Sequence, residues 1–278
     1  MNPDQVLAEI ELLAGARVVS KLNSGPVSDS YLIEHNAEQF VLRLDTEVAA
    51  AFGLDRKAEA EVLAIVSRHG LGPELKYADL RRGIQVTRYI EGRVWTETDL
   101  QDEGRITRLA ELLRQLHALD SDGQPLNLNA KVDNYARIIG TAEGRELAEE
   151  TQQLLARLNE QSVSQCLCHN DANCTNLIDG QTLKLIDWEY AAIGDPMFDL
   201  AVIAEHHQFD QQQTDTLLNA YFSEVHEEHM QRLHGYRSLY LHLLVLWLAS
   251  VEKLGKPGAE QQVLLQQAWH RLHETGVD

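Results

Sequence analysis

Apolar and polar residues alternate along much of the first ninety positions, and this two-residue period is typical of strands with one buried face. Five such strands are predicted, over residues 18–22, 31–34, 40–44, 74–77 and 84–89. Two helices accompany them. One over 3–14 begins at Pro3, and one over 56–68 follows Asp55, a residue type that favours helix N-termini. The pattern therefore predicts a small antiparallel sheet with one main helix.

The spacing changes after Glu91 and Gly92, where apolar residues begin to recur at helical intervals. Helices are predicted over 96–119, 142–159, 197–205, 210–224, 228–251 and 259–273. Short apolar runs at 165–168, 177–178 and 183–186 predict strands, and an Asp179-Gly180 turn joins the last two runs. We therefore expect an α+β, bilobal fold, with a nucleotide-binding lobe over residues 1–90 and a larger, α-rich lobe over 91–278 for catalysis and acceptor binding.

The chain is strongly acidic, because 43 Asp and Glu oppose 24 Lys and Arg and leave a net charge of −19. Such a field repels nucleic acid and anionic membranes and attracts cationic small molecules, although it is equally typical of a surface charged for solubility. Three cysteines indicate a reducing compartment, and no secretory pattern is present. The most apolar stretch, 239–251, is too short to span a membrane. We expect a cytoplasmic monomer or homodimer.

The segment from His169 to Asn176 carries the chemistry that the sequence indicates most strongly. It has the pattern His-x-Asp-x4-Asn, and the hairpin after it ends in Asp187, which the returning strand would bring beside Asn176. Phosphoryl transfer from ATP uses such a set. One carboxylate orients the acceptor hydroxyl, while an amide oxygen and a second carboxylate hold Mg²⁺. The competing interpretation is a polar loop between strands without chemistry.

Metal-ligand residues allow a different interpretation of the same region. The candidate zinc ligands are Cys166, Cys168, His169 and Cys174. No Cys-x2-Cys pair accompanies them, so reduced, buried cysteines are favoured. Four other histidines are His206, His207, His226 and His229. They fall on predicted amphipathic helices without a carboxylate–histidine pattern, which favours histidines on the surface.

Two further stretches complete the pattern: Ile186-Asp187-Trp188-Glu189-Tyr190-Ala191 and Asp195-Pro196-Met197-Phe198-Asp199-Leu200-Ala201. With the His169–Asn176 segment they resemble the aminoglycoside phosphotransferase and choline kinase group, and its choline, ethanolamine and thiamine kinase branch in particular. The resemblance implies a protein-kinase-like fold, ATP and Mg²⁺ as cofactors, and a small-molecule alcohol or amine as the acceptor. It also implies that Asp171 contacts the acceptor hydroxyl, that Asn176 and Asp187 bind Mg²⁺, and that His169 braces the loop by hydrogen bonds.

The same resemblance assigns a phosphate contact to the third predicted strand. Arg43 lies where protein kinases have the ATP-contacting lysine, and its guanidinium can supply a forked donor to the phosphates. Glu59 is its expected ion-pair partner, with Glu61 as the alternative. Strand alternation by itself would make Arg43 a solvated residue without a ligand.

Backbone contacts to the nucleotide are expected at two other places in the smaller lobe. In the turn over 23–30, Gly25 allows a close backbone approach to phosphate and Ser28 can donate a hydrogen bond. Asp29 would repel phosphate unless it points away, and the turn also makes sense as a simple hairpin. The backbone of Tyr89 and Ile90 is expected to pair with adenine.

Aromatic and acidic residues are expected around an amine on the acceptor, because a cation is attracted to aromatic faces when water is excluded. The candidates are Trp188, Glu189, Tyr190, Tyr240 and Trp247. Tyr240 and Trp247 share one face of a predicted helix, although aromatic residues in a leucine-rich helix also fill core space. The sequence favours an ATP- and Mg-dependent kinase of an amino-alcohol such as choline, ethanolamine or thiamine. The alternatives are an aminoglycoside-type antibiotic phosphotransferase and a non-catalytic nucleotide-binding module.

Overall fold

An antiparallel sheet forms the N-terminal lobe. The computed structural model describes residues 1–121, 123–160, 163–255 and 258–275. Its first strands are β1 (Arg17–Ser24), β2 (Ser28–His35), β3 (Glu38–Asp45), β4 (Leu75–Asp79) and β5 (Ile84–Arg88). They pair in the order β1-β2-β3-β5-β4, which places β3 at the centre. Helix α1 (Pro3–Glu9) precedes the sheet, and α2 (Arg56–Arg68) connects β3 to β4.

Helix α1 is shorter than the helix predicted over 3–14. The side chain of Asn2 caps its N-terminus, and the helix ends at Glu9 because Ile10 adopts an extended backbone conformation. A 3-10 turn over Glu11–Leu13 follows. This turn keeps Leu13 buried, so the apolar pattern was correct even though the helix is interrupted.

The C-terminal lobe is mainly helical. Its helices are α3 (Glu103–His117), α4 (Leu128–Ile139), α5 (Ala142–Leu158), α6 (Pro196–His206), α7 (Gln211–Tyr221), α8 (Glu227–Lys253) and α9 (Ala259–Thr275). Its short strands are β6 (Arg93–Val94), β7 (Cys166–Cys168), β8 (Leu177–Asp179), β9 (Leu183–Leu185) and β10 (Ala192–Gly194). β6 pairs with the β8–β9 hairpin, and β7 pairs with β10. The expected α+β, two-lobed architecture is therefore confirmed.

Two differences from the sequence-based expectations concern the helices around residue 120. The helix predicted over 96–119 is divided, because Thr96 and Asp99 form a capping box around a 3-10 turn and Asp102 then caps α3. No helix was predicted where α4 lies. Its signals are present in the sequence: an asparagine cap at Asn127, apolar residues at helical spacing, and Gly140 in the left-handed conformation at its C-terminus.

Among the described residues, the larger of two hydrophobic clusters joins the lobes. Val62, Leu63 and Val66 on α2 are buried in the same cluster as the helices of the C-terminal lobe, whereas the sheet and α1 enclose a smaller cluster of their own. The chain passes between lobes at Gly92, where an added Cβ would lie 2.6 Å from Ile178 Cγ2, so a larger residue cannot fit. No helix in the described part of the chain is long and apolar enough to cross a membrane.

Candidate active site

The loop between β7 and β8 holds the carboxylate of Asp171 in one position. Asn176 donates its side-chain amide to the Asp171 main-chain oxygen at 2.8 Å and to Oδ2 at 2.9 Å. Asn173 donates to Oδ1 at 3.0 Å. Each carboxylate oxygen therefore accepts one amide hydrogen bond and keeps lone pairs for a further partner. The sequence did not single out Asn173 for this role.

Burial and the nearby negative charge of Asp187 together raise the pKa of Asp171 to about 8, although the hydrogen bonds from Asn173 and Asn176 oppose the shift. A carboxylate with a raised pKa accepts a proton more readily than an ordinary one. Asp171 is therefore suited to receive a proton as well as to orient a hydroxyl.

His169 lies beneath this loop and is fully buried. Its Nδ1 accepts the Asp171 amide at 3.3 Å and its Nε2 donates to the Ile186 carbonyl oxygen at 2.9 Å. Burial lowers the pKa of His169, so the imidazole is neutral, as these two hydrogen bonds require. The structure thus places His169 as a brace between the loop and the segment that carries Asp187.

Trp188 also lies beneath the loop and does not line the acceptor cavity, so the expectation that it contacts the acceptor is wrong. Its ring is 1% exposed, packs edge-on against His169 and donates from Nε1 to the Leu185 carbonyl oxygen at 3.1 Å. An added Cβ at Gly72 would come within 2.8 Å of the indole. Trp188 is therefore a packing residue that supports His169.

Asp199 on α6 fixes the start of the loop. Its carboxylate accepts the amides of His169 at 2.8 Å and Asn170 at 2.6 Å, and it also pairs with His117 Nε2 at 2.9 Å. Asn170 has a left-handed backbone with φ of 64°, which costs free energy for a residue other than glycine. Asp199 therefore has a structural role, because its carboxylate holds both amides of this turn.

Asn176 and Asp187 offer oxygen ligands at the mouth between the lobes. Asn176 turns its amide nitrogen toward Asp171, and its Oδ1 accepts no hydrogen bond from the part of the chain that is described. Asp187 has a left-handed backbone, with φ of 64°, and its side chain is 40% exposed. Amide and carboxylate oxygens are the donors that Mg²⁺ prefers, so these residues fit that ion.

Arg43 on β3 faces this mouth from the N-terminal lobe. Its guanidinium donates to Glu59 Oε2 at 2.5 Å and to Asp187 Oδ1 at 3.1 Å, and its side chain is only 9% exposed. The interpretation of Arg43 as a solvated strand residue is therefore wrong. Glu61, the alternative partner, is exposed and pairs with Lys57 instead.

A second arginine extends this network. Arg56 donates to both carboxylate oxygens of Asp45, at 2.6 and 3.0 Å, and through Nη1 to Glu59 and Glu189, each at 2.9 Å. Burial would raise the pKa of Glu59, but the charges of Arg43 and Arg56 hold it below its usual range. Sequence reasoning missed Arg56 and Asp45, because nothing in their local pattern distinguishes them from surface residues.

Glu189 belongs to this network rather than to the acceptor cavity. Its Oε2 lies 3.9 Å from Arg43 Nη1, in addition to its hydrogen bond with Arg56. Burial, reinforced by the charge of Asp187, raises the pKa of Glu189 to about 7. Glu189 is not among the residues that line the cavity beside Asp171, so its expected position in the acceptor pocket is not observed.

The turn between β1 and β2 uses the Gly25 amide for its own closure, so that amide is not free for phosphate. Gly25 donates its amide to the Ser28 carbonyl oxygen at 2.9 Å, which closes the turn. Asp29 is drawn back by Ser24 Oγ at 2.6 Å and Lys21 Nζ at 2.9 Å. The acidic side chain is thus neutralised within the turn.

The backbone beyond β5 offers fewer groups to adenine than expected. The Tyr89 amide donates to the Gln39 carbonyl oxygen at 3.1 Å and is therefore already engaged. The Ile90 amide makes no backbone hydrogen bond to any other residue that the structure describes. Of the two amides, only that of Ile90 fits the expected contact.

A cavity of about 320 Å³ opens beside Asp171. Its walls are largely aromatic and aliphatic, and residues that face it include Tyr135, Tyr190, Phe198, Tyr240, Trp247 and Leu244. Trp247 Nε1 donates to the Tyr190 hydroxyl at 3.0 Å, and the Tyr240 hydroxyl pairs with His206 Nδ1 at 2.7 Å. The expected pairing of Tyr240 and Trp247 on one helix face is observed, whereas His206 was wrongly expected on the surface.

Lys131 on α4 is the cation of this cavity. Its Nζ lies 5.1 Å from the centre of the Tyr190 ring, and it forms no ion pair with a carboxylate in the described ranges. Burial lowers the pKa of Lys131, while the charge of Glu189 opposes the shift. Sequence reasoning missed Lys131 and Tyr135 because it missed α4.

Comparison with known proteins identifies similar sequences. A profile described as "Phosphotransferase enzyme family" matches residues 18–236. Protein LicA of Haemophilus influenzae is 25% identical over 235 residues, which are 79% of this chain and 87% of LicA. A thiamine kinase of Escherichia coli is 28% identical over 268 residues, covering 91% of this chain and 90% of the kinase.

Solved structures share the fold over nearly the whole chain. A choline/ethanolamine kinase family protein from Mesorhizobium loti has a TM-score of 0.81 at 23% identity, covering 100% of this chain and 96% of that one. A LicA structure in complex with AMP has a TM-score of 0.79 at 24% identity, covering 98% and 97%.

Proposed function

The chain belongs to the phosphotransferase enzyme family, and we propose that it transfers the γ-phosphoryl group of ATP to the hydroxyl of a small amino-alcohol such as choline, ethanolamine or thiamine. The observation that carries this proposal is the position of Asp171. Its carboxylate is held by Asn173 and Asn176 and also lines the aromatic cavity. An acceptor hydroxyl in the cavity would meet the group that orients it.

Nucleotide would bind between the lobes, on the side of Asp171 that faces Arg43. The guanidinium of Arg43 supplies a buried positive charge for the phosphates. Asn176 and Asp187 would hold Mg²⁺, whose charge stabilises the phosphates when bound. The AMP in the LicA complex of the same fold supports nucleotide binding by this chain.

Asp171 would act on the acceptor by orientation first and by proton transfer second. The hydroxyl oxygen of the acceptor forms a bond to the γ-phosphorus, and the bond from that phosphorus to the bridging oxygen of ADP breaks. The hydroxyl proton passes to Asp171, late in the reaction, because a free alcohol is far less acidic than any carboxylic acid. His169 and Asp199 keep the carboxylate in place throughout.

The cavity favours a compact amino-alcohol over an aminoglycoside. An aminoglycoside carries several amines and would need several carboxylates, but Asp171 is the one carboxylate among the described lining residues. The aromatic walls suit a single ammonium group. The names of two similar proteins, thiamine kinase and choline/ethanolamine kinase, point to the same class of acceptor.

The test is ADP release from Mg-ATP with a panel of choline, ethanolamine, thiamine, homoserine, methylthioribose and several aminoglycosides. The Asp171→Asn protein provides the background rate. Strong stimulation by one amino-alcohol, absent from the variant, is the expected result. Preferential stimulation by an aminoglycoside would contradict the proposed acceptor, and no stimulation despite bound nucleotide would overturn the proposal.

A further inference from the structure

Two thiols and an imidazole converge at the strand that leads into the catalytic loop. Cys166 and Cys168 lie two positions apart on β7, so their side chains point to the same face of the strand. His117 approaches this face from the C-terminal end of α3. The three ligand atoms lie within 4.8 Å of one another, and both cysteines are free thiols.

This group differs from the zinc cluster that the sequence offered. His169 uses both ring nitrogens in the hydrogen bonds to Asp171 and Ile186 described above, so it is not available as a ligand. Cys174 lies outside the group and donates its amide to His207. The histidine that joins the thiols is His117, about fifty positions earlier in the chain, which no local spacing could indicate.

The separation of the two sulfurs already suits a metal ion. Their Sγ atoms are 3.8 Å apart. Two thiolates bound tetrahedrally to Zn²⁺, at Zn–S distances of about 2.3 Å, are separated by about 3.8 Å. The separation of the two sulfurs therefore already matches that of two thiolates on one zinc ion.

The hydrogen bonds of His117 also match those of a zinc ligand. Its Nε2 pairs with Asp199 Oδ2 at 2.9 Å, and a carboxylate in this position fixes the tautomer that leaves Nδ1 with a free lone pair. At present the Tyr221 hydroxyl, 2.7 Å away, donates to Nδ1. A ring nitrogen of His117 lies within 4.8 Å of both sulfurs, and Nδ1 is the nitrogen that Asp199 leaves free to bind a metal ion.

We propose that His117 Nδ1 and the thiolates of Cys166 and Cys168 form a binding site for a thiophilic divalent cation such as Zn²⁺ or Cd²⁺. The two thiol protons leave to solvent, the Tyr221 hydroxyl gives up its bond to Nδ1, and water completes the tetrahedron beside the half-buried Cys166. The site shares no residue with the proposed Mg²⁺ ligands. Its sulfur and nitrogen atoms also select a softer ion than Mg²⁺. Through Asp199 it contacts the same turn that positions Asp171.

The test is a titration of the full-length protein, kept reduced with a phosphine, with Cd²⁺ alone. A sulfur-to-cadmium charge-transfer absorption that saturates at one equivalent is expected, because the protein's other histidines and carboxylates cannot produce that band. Cys166→Ser should abolish the saturable band, and Cys174→Ser is the matched control that should retain it. His117→Gln should keep a weaker band and lower the affinity at least tenfold.

Cys168 is fully buried, so Cys166→Ser, which changes a half-buried residue, is the decisive variant. Its circular dichroism and nucleotide binding are compared with the wild type before titration. A wild-type protein with no band at one equivalent, or a folded Cys166→Ser protein with an unchanged band, would overturn the proposal. A Cys174→Ser protein that loses the band would also contradict the ligand set.

Discussion

The guanidinium of Arg43 donates a hydrogen bond to Asp187 Oδ1 at 3.1 Å, and so joins the central strand of the N-terminal sheet to the residue proposed to hold Mg²⁺. The same guanidinium donates to Glu59 at 2.5 Å. Arg43 therefore connects α2, the sheet and the segment that carries Asp187 through one planar group. This arrangement depends on the forked geometry of arginine and not only on its charge.

Arg43→Lys is expected to weaken the use of ATP, because a single ammonium cannot reach Glu59 and Asp187 together. A lost hydrogen bond between charged groups costs about 1.5–3 kcal/mol, which corresponds to a fall of roughly ten- to a hundredfold in kcat/KM for ATP. A coupled assay of ADP release measures it. The matched control is Arg88→Lys, because Arg88 is an exposed arginine that pairs with Glu38. Its kcat/KM for ATP should remain within twofold of the wild type. Equal effects of the two substitutions would contradict the role given to Arg43.

Asp171→Asn replaces the carboxylate with an amide of nearly the same size that can still form hydrogen bonds. Turnover is expected to fall by about a hundred- to ten-thousandfold, the usual contribution of a positioned acid–base group, with nucleotide affinity within about threefold of the wild type. Steady-state kinetics and calorimetry measure the two quantities. Asp179→Asn in the nearby hairpin turn is the control and should keep its turnover. An active Asp171→Asn protein would show that the residue is misassigned.

Asp187→Asn tests the proposed Mg²⁺ site directly. Asparagine tolerates the left-handed backbone at this position, so the substitution removes the charge without adding strain. The Mg²⁺ concentration for half-maximal activity at fixed ATP is expected to rise at least tenfold, since the ion loses its charged ligand from the protein. An unchanged Mg²⁺ dependence would exclude Asp187 as a ligand.

Lys131 should limit how well the cavity binds a cation. Its ammonium lies over the face of Tyr190, where an acceptor's ammonium would otherwise be attracted. Lys131→Met keeps the length of the side chain and removes the charge, so kcat/KM for a cationic acceptor should rise roughly five- to tenfold. The exposed Lys57→Met serves as the control. A fall in activity toward cationic acceptors would instead mean that Lys131 binds the acceptor.

The protein should lose stability as the pH falls below neutrality. Burial, reinforced by the charge of His206, lowers the pKa of His207 to about 3, whereas in the unfolded chain it returns to about 6.5. Between pH 6.5 and pH 3 the unfolded chain therefore binds more protons than the folded chain. The stability that depends on a neutral His207 is complete above pH 6.5 and is lost as the pH falls toward 3. From pH 6.5 to 5 the free energy of unfolding should fall by about 2 kcal/mol for this residue.

His207→Gln tests this pH dependence, because a glutamine oxygen can still accept the Cys174 amide but does not titrate. Chemical denaturation at pH 7 and pH 5 should show a smaller loss of stability in the variant than in the wild type. His69→Gln changes an exposed histidine and should leave the slope unaltered. An equal loss of stability between pH 7 and pH 5 in all three proteins would contradict the lowered pKa of His207.

Much of the site lies close together in sequence, which is why local pattern was informative. The His-x-Asp-x4-Asn spacing placed Asp171 and Asn176 in one loop, and the short hairpin brought Asp187 to its mouth. Strand alternation and helix spacing predicted most elements of both lobes, and the fold class is confirmed. The missed helix α4 left Lys131 and Tyr135 out of the expected acceptor site, although its capping residues were visible in the sequence.

The sequence by itself determined the two lobes, the family resemblance and the loop that carries Asp171, because each depends on residues within a few turns or strands of one another. Only the tertiary structure decided which side chains became partners. Arg56 meets Glu189 across 133 positions, and His117 meets Asp199 across 82. The same packing buried Trp188 beneath the loop and exposed Asp171 to the cavity. Such choices depend on how burial and charge are balanced in three dimensions, and local periodicity carries no information about that balance.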